Sequence, residues 1–251
     1  MIRMIMHGCC GAMGRVITSI VSEDPDIAIV AGIDKNTGGQ CPYPVFPSLN
    51  ECTEEGDVIV DFSAPAAVDH LLDYCEANKI PVVLCTTGLT KEQVERAGEV
   101  SKSAAVLRSA NMSLGINLLF KLVAEAAKVL AASGFDMEIV EKHHNQKKDA
   151  PSGTALALAE ALNHAVGQAY HNVFDRSQTS EKRDAKEIGI SAVRGGSIVG
   201  EHDVIFAGKD EVVTFSHTAY SKAIFAKGAV SAAKFLAGKG PGMYDMSHVI
   251  G

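Results

Sequence analysis

The stretch KHHNQKKDAPSGTA, residues 142 to 155, sets two adjacent histidines, three lysines and an aspartate ahead of Pro-Ser-Gly-Thr. His143 and His144 titrate near neutrality and can carry a proton, and Lys147 adds a full positive charge beside them. Ser152, Gly153 and Thr154 fall where a helix begins, so their N–H groups and hydroxyls suit an anion. Pro151 suits the first turn of that helix, and either Asp149 or Ser152 can cap it. A proton carrier beside an anion site is what reduction of a carboxylate-bearing unsaturated substrate needs, provided a hydride carrier is present. Adjacent histidines also suit a metal, but no neighbouring Cys and no HxxH or HxxxH spacing completes a ligand set, so no metal is expected. A solvated basic loop is the bland alternative.

A second cluster matches a hydride carrier. MIRMIMHGCCGAMGRVI spaces Gly8, Gly11 and Gly14 across a strand-to-helix turn, where glycine lets the backbone approach a pyrophosphate. Asp34 closes the next strand about 20 residues on, where a carboxylate can bind ribose hydroxyls. Lys35 follows it and can pair with the 2′-phosphate of NADP, so the pair is compatible with NADH or NADPH. DFSAPAAV (61 to 68, with Phe62) and CTTG (85 to 88, with Thr86 and Gly88) end two further strands and are candidates to line the nicotinamide site.

The elements that must hold these residues alternate. Apolar runs at Ile2 to Met6, IAIVAGID, DVIVDFS, PVVLCTT and AVLRSA are separated by helical periodicity in RVITSIVSE, AAVDHLLDYCEANK and KEQVERAGEVSKSA. That order implies an α/β fold with a Rossmann-type, doubly wound parallel sheet over residues 1–110. From 111 to 221 the rhythm becomes a long helix, the strand FDMEIVEKHH, the helix PSGTALALAEALNHAV and then strand-like runs. It predicts a second, α+β domain on an open mixed sheet. A C-terminal helix, about 222–251, is expected to pack back on the first domain.

Composition narrows the partners. The 251 residues carry a formal net charge of -7, 47% hydrophobic and 21% charged residues, which argues against nucleic acid or a membrane as a bulk electrostatic partner. No apolar run is long enough to span a bilayer, and the N-terminus is too short and glycine-broken for a secretory signal, so a cytoplasmic protein is expected. The six cysteines lack disulfide-scaffold spacing and any CxxC pair, and most of them read as reduced, buried small residues.

Taken together, EKHHNQKKDAPSGTA, GCCGAMGR, DFSAPAAV, CTTG, SANMSLGIN, RGGSIVGEH and MYDMSHVIG resemble, in order and along nearly the whole chain, the 4-hydroxy-tetrahydrodipicolinate reductase family, also called dihydrodipicolinate reductase. The resemblance implies NAD(P)H-dependent reduction of a cyclic imino dicarboxylate in the diaminopimelate and lysine pathway. It implies His143 as proton donor with Lys147 as its partner, His144, Thr87 and Ser152 to Thr154 on the substrate, and Gly8, Met13, Asp34, Lys35, Gly88 and Met112 along the cofactor. It also implies a homotetramer, with residues 111–221 as the substrate-binding and oligomerisation domain. Cys9 and Cys10 stand where the family usually has alanine or glycine, and Ala12 where it often has arginine. The residues alone also admit another dehydrogenase of small carboxylates, or a dinucleotide sensor without chemistry. Such a sensor need not combine His143, Lys147 and a Ser-Gly-Thr helix start.

Overall fold

The computed structural model of the protein describes residues 1–178 and 180–251. They form two units, Met1–Ser113 with Ala223–Gly251, and Leu114–Lys222. The first holds seven strands: β1 (Ile2–His7), β2 (Ile27–Ile33), β3 (Val45–Phe46), β4 (Val58–Asp61), β5 (Val82–Leu84), β6 (Ala105–Leu107) and, from the C-terminal segment, β12 (Gly242–Tyr244). They pair in parallel in the order β3-β2-β1-β4-β5-β6-β12.

Both faces of this sheet are covered, which is why its strands read as continuous apolar runs. Successive residues point to opposite faces. Met4 and Met6 therefore enter one core with Ile17 and Val21 of α1 (Ala12–Ser22) and Ala229 and Ala233 of α6 (Ala223–Leu236). Ile5 enters the other with Leu71 and Leu72 of α2 (Pro65–Asn78) and Ala97 and Val100 of α3 (Lys91–Val100). Gly228 brings α6 directly onto the Met112 carbonyl, where a Cβ would not fit. With β2 on one side of β1 and β4 on the other, the carboxyl ends of β1 and β4 form the switch point at which open α/β sheets bind ligands.

Residues 222–251, read from the sequence as one helix, prove to be a helix, a strand and a short helix, α7 (Met246–Ile250). Gly238, at φ +80°, and Gly240-Pro241 stop α6, and the chain then adds β12 to the edge of the sheet. β3 was also unforeseen: two residues between prolines carry too little periodicity to announce a strand.

The second unit is built on α4 (Leu114–Leu130), β7 (Asp136–His143), α5 (Gly153–Ala165), β8 (His171–Phe174), β9 (Glu187–Arg194), β10 (Gly200–Ala207) and β11 (Val212–Ala219). Its sheet order is β11-β10-β7-β9-β8, mixed as expected: β7, β8 and β9 are parallel, β10 and β11 antiparallel to their neighbours. Helices α4 and α5 cover one face, packing Leu119, Val123, Leu158 and Leu162 on Met137, Ile139, Val204 and Phe206. The Rossmann-type sheet and the open mixed sheet of the α+β unit are both present.

Candidate active site

On β7 the inward face runs Met137, Ile139, Glu141, His143, all buried. The first two belong to the core, and the same period of two then delivers a carboxylate and an imidazole where the strand ends. Glu141, fully buried, accepts from four groups. Arg194, opposite His143 on β9, forks onto it with Nη1 on Oε2 and Nη2 on Oε1, each at 2.7 Å. The Ser152 N–H reaches Oε1 at 2.9 Å, and His143 Nδ1 lies 2.6 Å from Oε2. Burial alone would raise the Glu141 pKa, but Arg194, His143 and the Ser152 N–H together outweigh it and hold the carboxyl below its usual range.

An ionised carboxylate only accepts, so the proton on this edge of His143 sits on Nδ1, and Nε2 is left to exchange a proton with a ligand. Gly200, on β10, keeps that nitrogen clear: a Cβ there would lie 3.1 Å from Nε2. The His202 ring meets His143 edge-on at 5.2 Å, with its Nε2 3.1 Å from the Ser152 hydroxyl. Burial first, and then neighbouring His143, push His202 down to about 4, so it stays neutral near neutral pH.

Ser152 is the N-cap of α5, its Oγ accepting the Ala155 N–H at 3.2 Å. Pro151 therefore precedes the cap, through a cis peptide from Ala150, and does not occupy the first turn as its residue type suggested. The Ser152 N–H and hydroxyl are turned inward onto Glu141, Ala155 and His202 and are not aimed outward as expected. Gly153 is exposed and Thr154 half-buried at the same helix start. Lys147 Nζ lies 2.9 Å from the Asp149 carboxylate, which also receives the Gly153 N–H. Lys147 foremost holds Asp149 below its usual pKa. An internal anion thus sits between the lysine and the helix start. His144 is half-buried beyond the end of β7. Lys142 pairs with Glu201 at 3.0 Å and Asp203 at 3.3 Å, while Lys148 is exposed.

In the first unit a cavity of about 940 Å³ opens at the switch point and brings together Gly8, Gly11, Asp34, Lys35 and Phe62. Its geometry fits a dinucleotide. Gly8 sits at φ +84°, and a Cβ there would lie 2.5 Å from the Phe62 carbonyl oxygen. Gly14 packs on the Cys9 and Gly8 carbonyls with no room for a side chain. Gly11 is the N-cap of α1 without a side-chain cap, leaving first-turn N–H groups for an anion. Asp34 accepts the Cys10 N–H at 2.9 Å and the Asn36 N–H at 3.0 Å, fixing the carboxylate against the glycine loop.

Other residues expected along the cofactor lie off this cavity wall. Met13 is half-buried, and Met112 is buried with its carbonyl under Gly228. Thr86 is buried, its hydroxyl 3.4 Å from that of Ser63, and Thr87 and Gly88 are exposed in the loop after β5. The sequence reading missed His7, which lines the cavity, and Asp61, fully buried, whose Oδ1 lies 2.7 Å from His7 Nδ1. It also missed Glu141, although two residues before His143 on a strand is the same face. Arg194 and His202 bound the segment RGGSIVGEH that the family resemblance singles out, but only the ladder brings them to β7.

The comparisons with known proteins agree along the whole length. The family model described as "Dihydrodipicolinate reductase, N-terminus" matches residues 2–112, and "Dihydrodipicolinate reductase, C-terminus" matches residues 115–250. The 4-hydroxy-tetrahydrodipicolinate reductase of Caldanaerobacter subterraneus is 53% identical over 250 residues, covering 100% of this chain and 98% of the relative. That of Clostridium novyi is 47% identical over 251 residues, covering 100% and 98%. Among solved structures, a dipicolinate-bound dihydrodipicolinate reductase from Paenisporosarcina matches with a TM-score of 0.81 at 25% identity, covering 98% of this chain and 97% of that one. This chain belongs to the dihydrodipicolinate reductase family.

Proposed function

We propose that His143, Lys147 and the start of α5 carry the NAD(P)H-dependent reduction of 4-hydroxy-tetrahydrodipicolinate to tetrahydrodipicolinate, the reaction of this family. The observation that carries the assignment is the buried Arg194–Glu141–His143 chain, which sets a proton-bearing imidazole at a strand end near a lysine and a helix start. NAD(P)H, when bound, supplies the hydride. His143 donates the proton from Nε2 while Glu141 stabilises the ring through Nδ1. Lys147 and the N–H groups of Gly153 and Thr154 take a substrate carboxylate where the Asp149 carboxylate now sits. His144 and Thr87 complete the substrate contacts.

Gly8, Gly11, Met13 and Gly14 form the pyrophosphate loop, and Asp34 and Lys35 hold the adenosine ribose. Phe62, Thr86, Gly88 and Met112 line the rest of the cofactor. Neither NADH nor NADPH is excluded by an Asp-Lys pair, since the carboxylate favours a free 2′-hydroxyl and the ammonium a 2′-phosphate. The expected outcome of Asp34→Ala is a Kd for NADH raised by roughly ten- to a hundredfold, as for a lost charged hydrogen bond, with a smaller change for NADPH. A larger loss for NADPH refutes the role given to Asp34.

The activity is tested by following the fall in NADH absorbance when the synthase product made from pyruvate and aspartate semialdehyde is supplied. Oxidation that depends on that product is expected, and none at all refutes the reading. Two finer features belong to the same reading: action in the cytoplasm, and a homotetramer. The open face of the second unit's sheet, with Val212 and Val193 exposed, supports assembly through that sheet. Light scattering is expected to return about four times the 26.4 kDa of the chain, and a monomeric mass contradicts it.

A further inference from the structure

The three cysteines nearest the glycine loop converge although their spacing, 9, 10 and 41, suggests no motif. The sulfurs of Cys9, Cys10 and Cys41 all lie within 4.8 Å of one another, with Cys9 Sγ and Cys10 Sγ 3.9 Å apart. Cys9 is fully buried, while Cys10 and Cys41 are half-buried, so the cluster has a solvent side. Its walls are tight. A Cβ on Gly32 would lie 2.5 Å from Cys9 Sγ, and one on Gly39 2.7 Å from Cys10 Sγ.

We infer that Cys9, Cys10 and Cys41 form a three-sulfur site for one soft, thiophilic cation of the Zn(II) or Cd(II) kind. Metal–sulfur bonds of about 2.3 Å place three sulfurs around one ion roughly 4 Å apart. The Cys9–Cys10 pair already has that spacing. Cys41 closes the remainder by less than about 1 Å on the same geometry, and it lies in the irregular segment between β2 and β3, free of ladder or helix bonds. Thiolates without a carboxylate or imidazole among them select soft ions over magnesium or calcium.

The ion also resolves an electrostatic conflict. Burial foremost, and then neighbouring sulfur and carboxylate groups, raise the Cys9 thiol, and burial raises Cys10. Without a cation these two thiols stay protonated at neutral pH. With one, each ligand gives up its proton to solvent as its sulfur binds, and affinity climbs with pH. The site lies within the loop assigned above to pyrophosphate: the Cys10 N–H holds Asp34, and its Sγ lies 3.1 Å from the Asn36 carbonyl oxygen.

The test is a Cd(II) titration of the reduced full chain, read by the ultraviolet thiolate-to-cadmium charge-transfer band. Saturation at one Cd(II) per chain is expected, with at least a tenfold loss of affinity in Cys10→Ser and in Cys41→Ser and none in Cys52→Ser, whose sulfur lies outside the cluster. In the unaltered protein, Cd(II) should also shield Cys10 and Cys41, the two half-buried members of the cluster, from alkylation, as mapped by mass spectrometry. No band at one equivalent, a band undiminished in Cys10→Ser and Cys41→Ser, or shielding confined to other cysteines would overturn the inference.

Discussion

Glu141 fixes the Nδ1 edge of His143, and Arg194 foremost holds Glu141 in its charged form. The carboxylate is fully buried, and the bidentate guanidinium foremost, with His143 and the Ser152 N–H, keeps it ionised there. Glu141→Gln removes the negative charge that faces Nδ1 and leaves Arg194 unneutralised beside the ring. The expected result is a kcat lowered by roughly ten- to a hundredfold, part of the ~10²–10⁴ that a general acid contributes. A merely structural role would lower the yield of folded protein and leave the kcat of the remainder unchanged. At this scale residue type and spacing drew attention to His143, Lys147, Asp34 and the glycines, and the structure sets His143 on Glu141 and brings Gly8, Gly11 and Asp34 to one cavity. Arg194 and His202, 51 and 59 residues after His143, bound the segment RGGSIVGEH that the family resemblance singles out, but only strand pairing shows that they meet β7.

The elements show how apolar periodicity and chemistry share one strand. β7 keeps its alternation to the end and swaps apolar for polar in the last two inward positions, so the core pattern that announces the strand also aims the acid. The helix start is subtler. Pro151 suggested the first turn, yet Ser152 caps the helix, because its side-chain oxygen satisfies the Ala155 N–H while its own N–H is claimed by Glu141. The short edge strands β3 and β12, of two and three residues, carry no readable period.

A pH prediction belongs to the β7–β10 pair. His202 titrates at about 4 in the folded unit, against 6.5 as its ordinary value. Between those values the unfolded chain binds the extra proton and the folded one does not, so stability is present above the ordinary value and is lost as pH falls toward 4. The loss is on the order of 3 kcal/mol. Thermal melts from neutral to acid pH should show a fall that is shallower in His202→Gln, and identical slopes would remove His202 from the account.

At the scale of the molecule, the alternation of strands and helices was enough to expect the parallel sheet, and the loss of that rhythm near residue 110 enough to expect a second fold type. In the proposed function, turnover rests on His143. Steady-state turnover with 4-hydroxy-tetrahydrodipicolinate and NADH, compared between the unaltered chain and His143→Gln, tests this most directly. The account requires kcat to fall by ~10²–10⁴-fold while the Kd for NADH stays unchanged. Near-normal turnover in His143→Gln would contradict it.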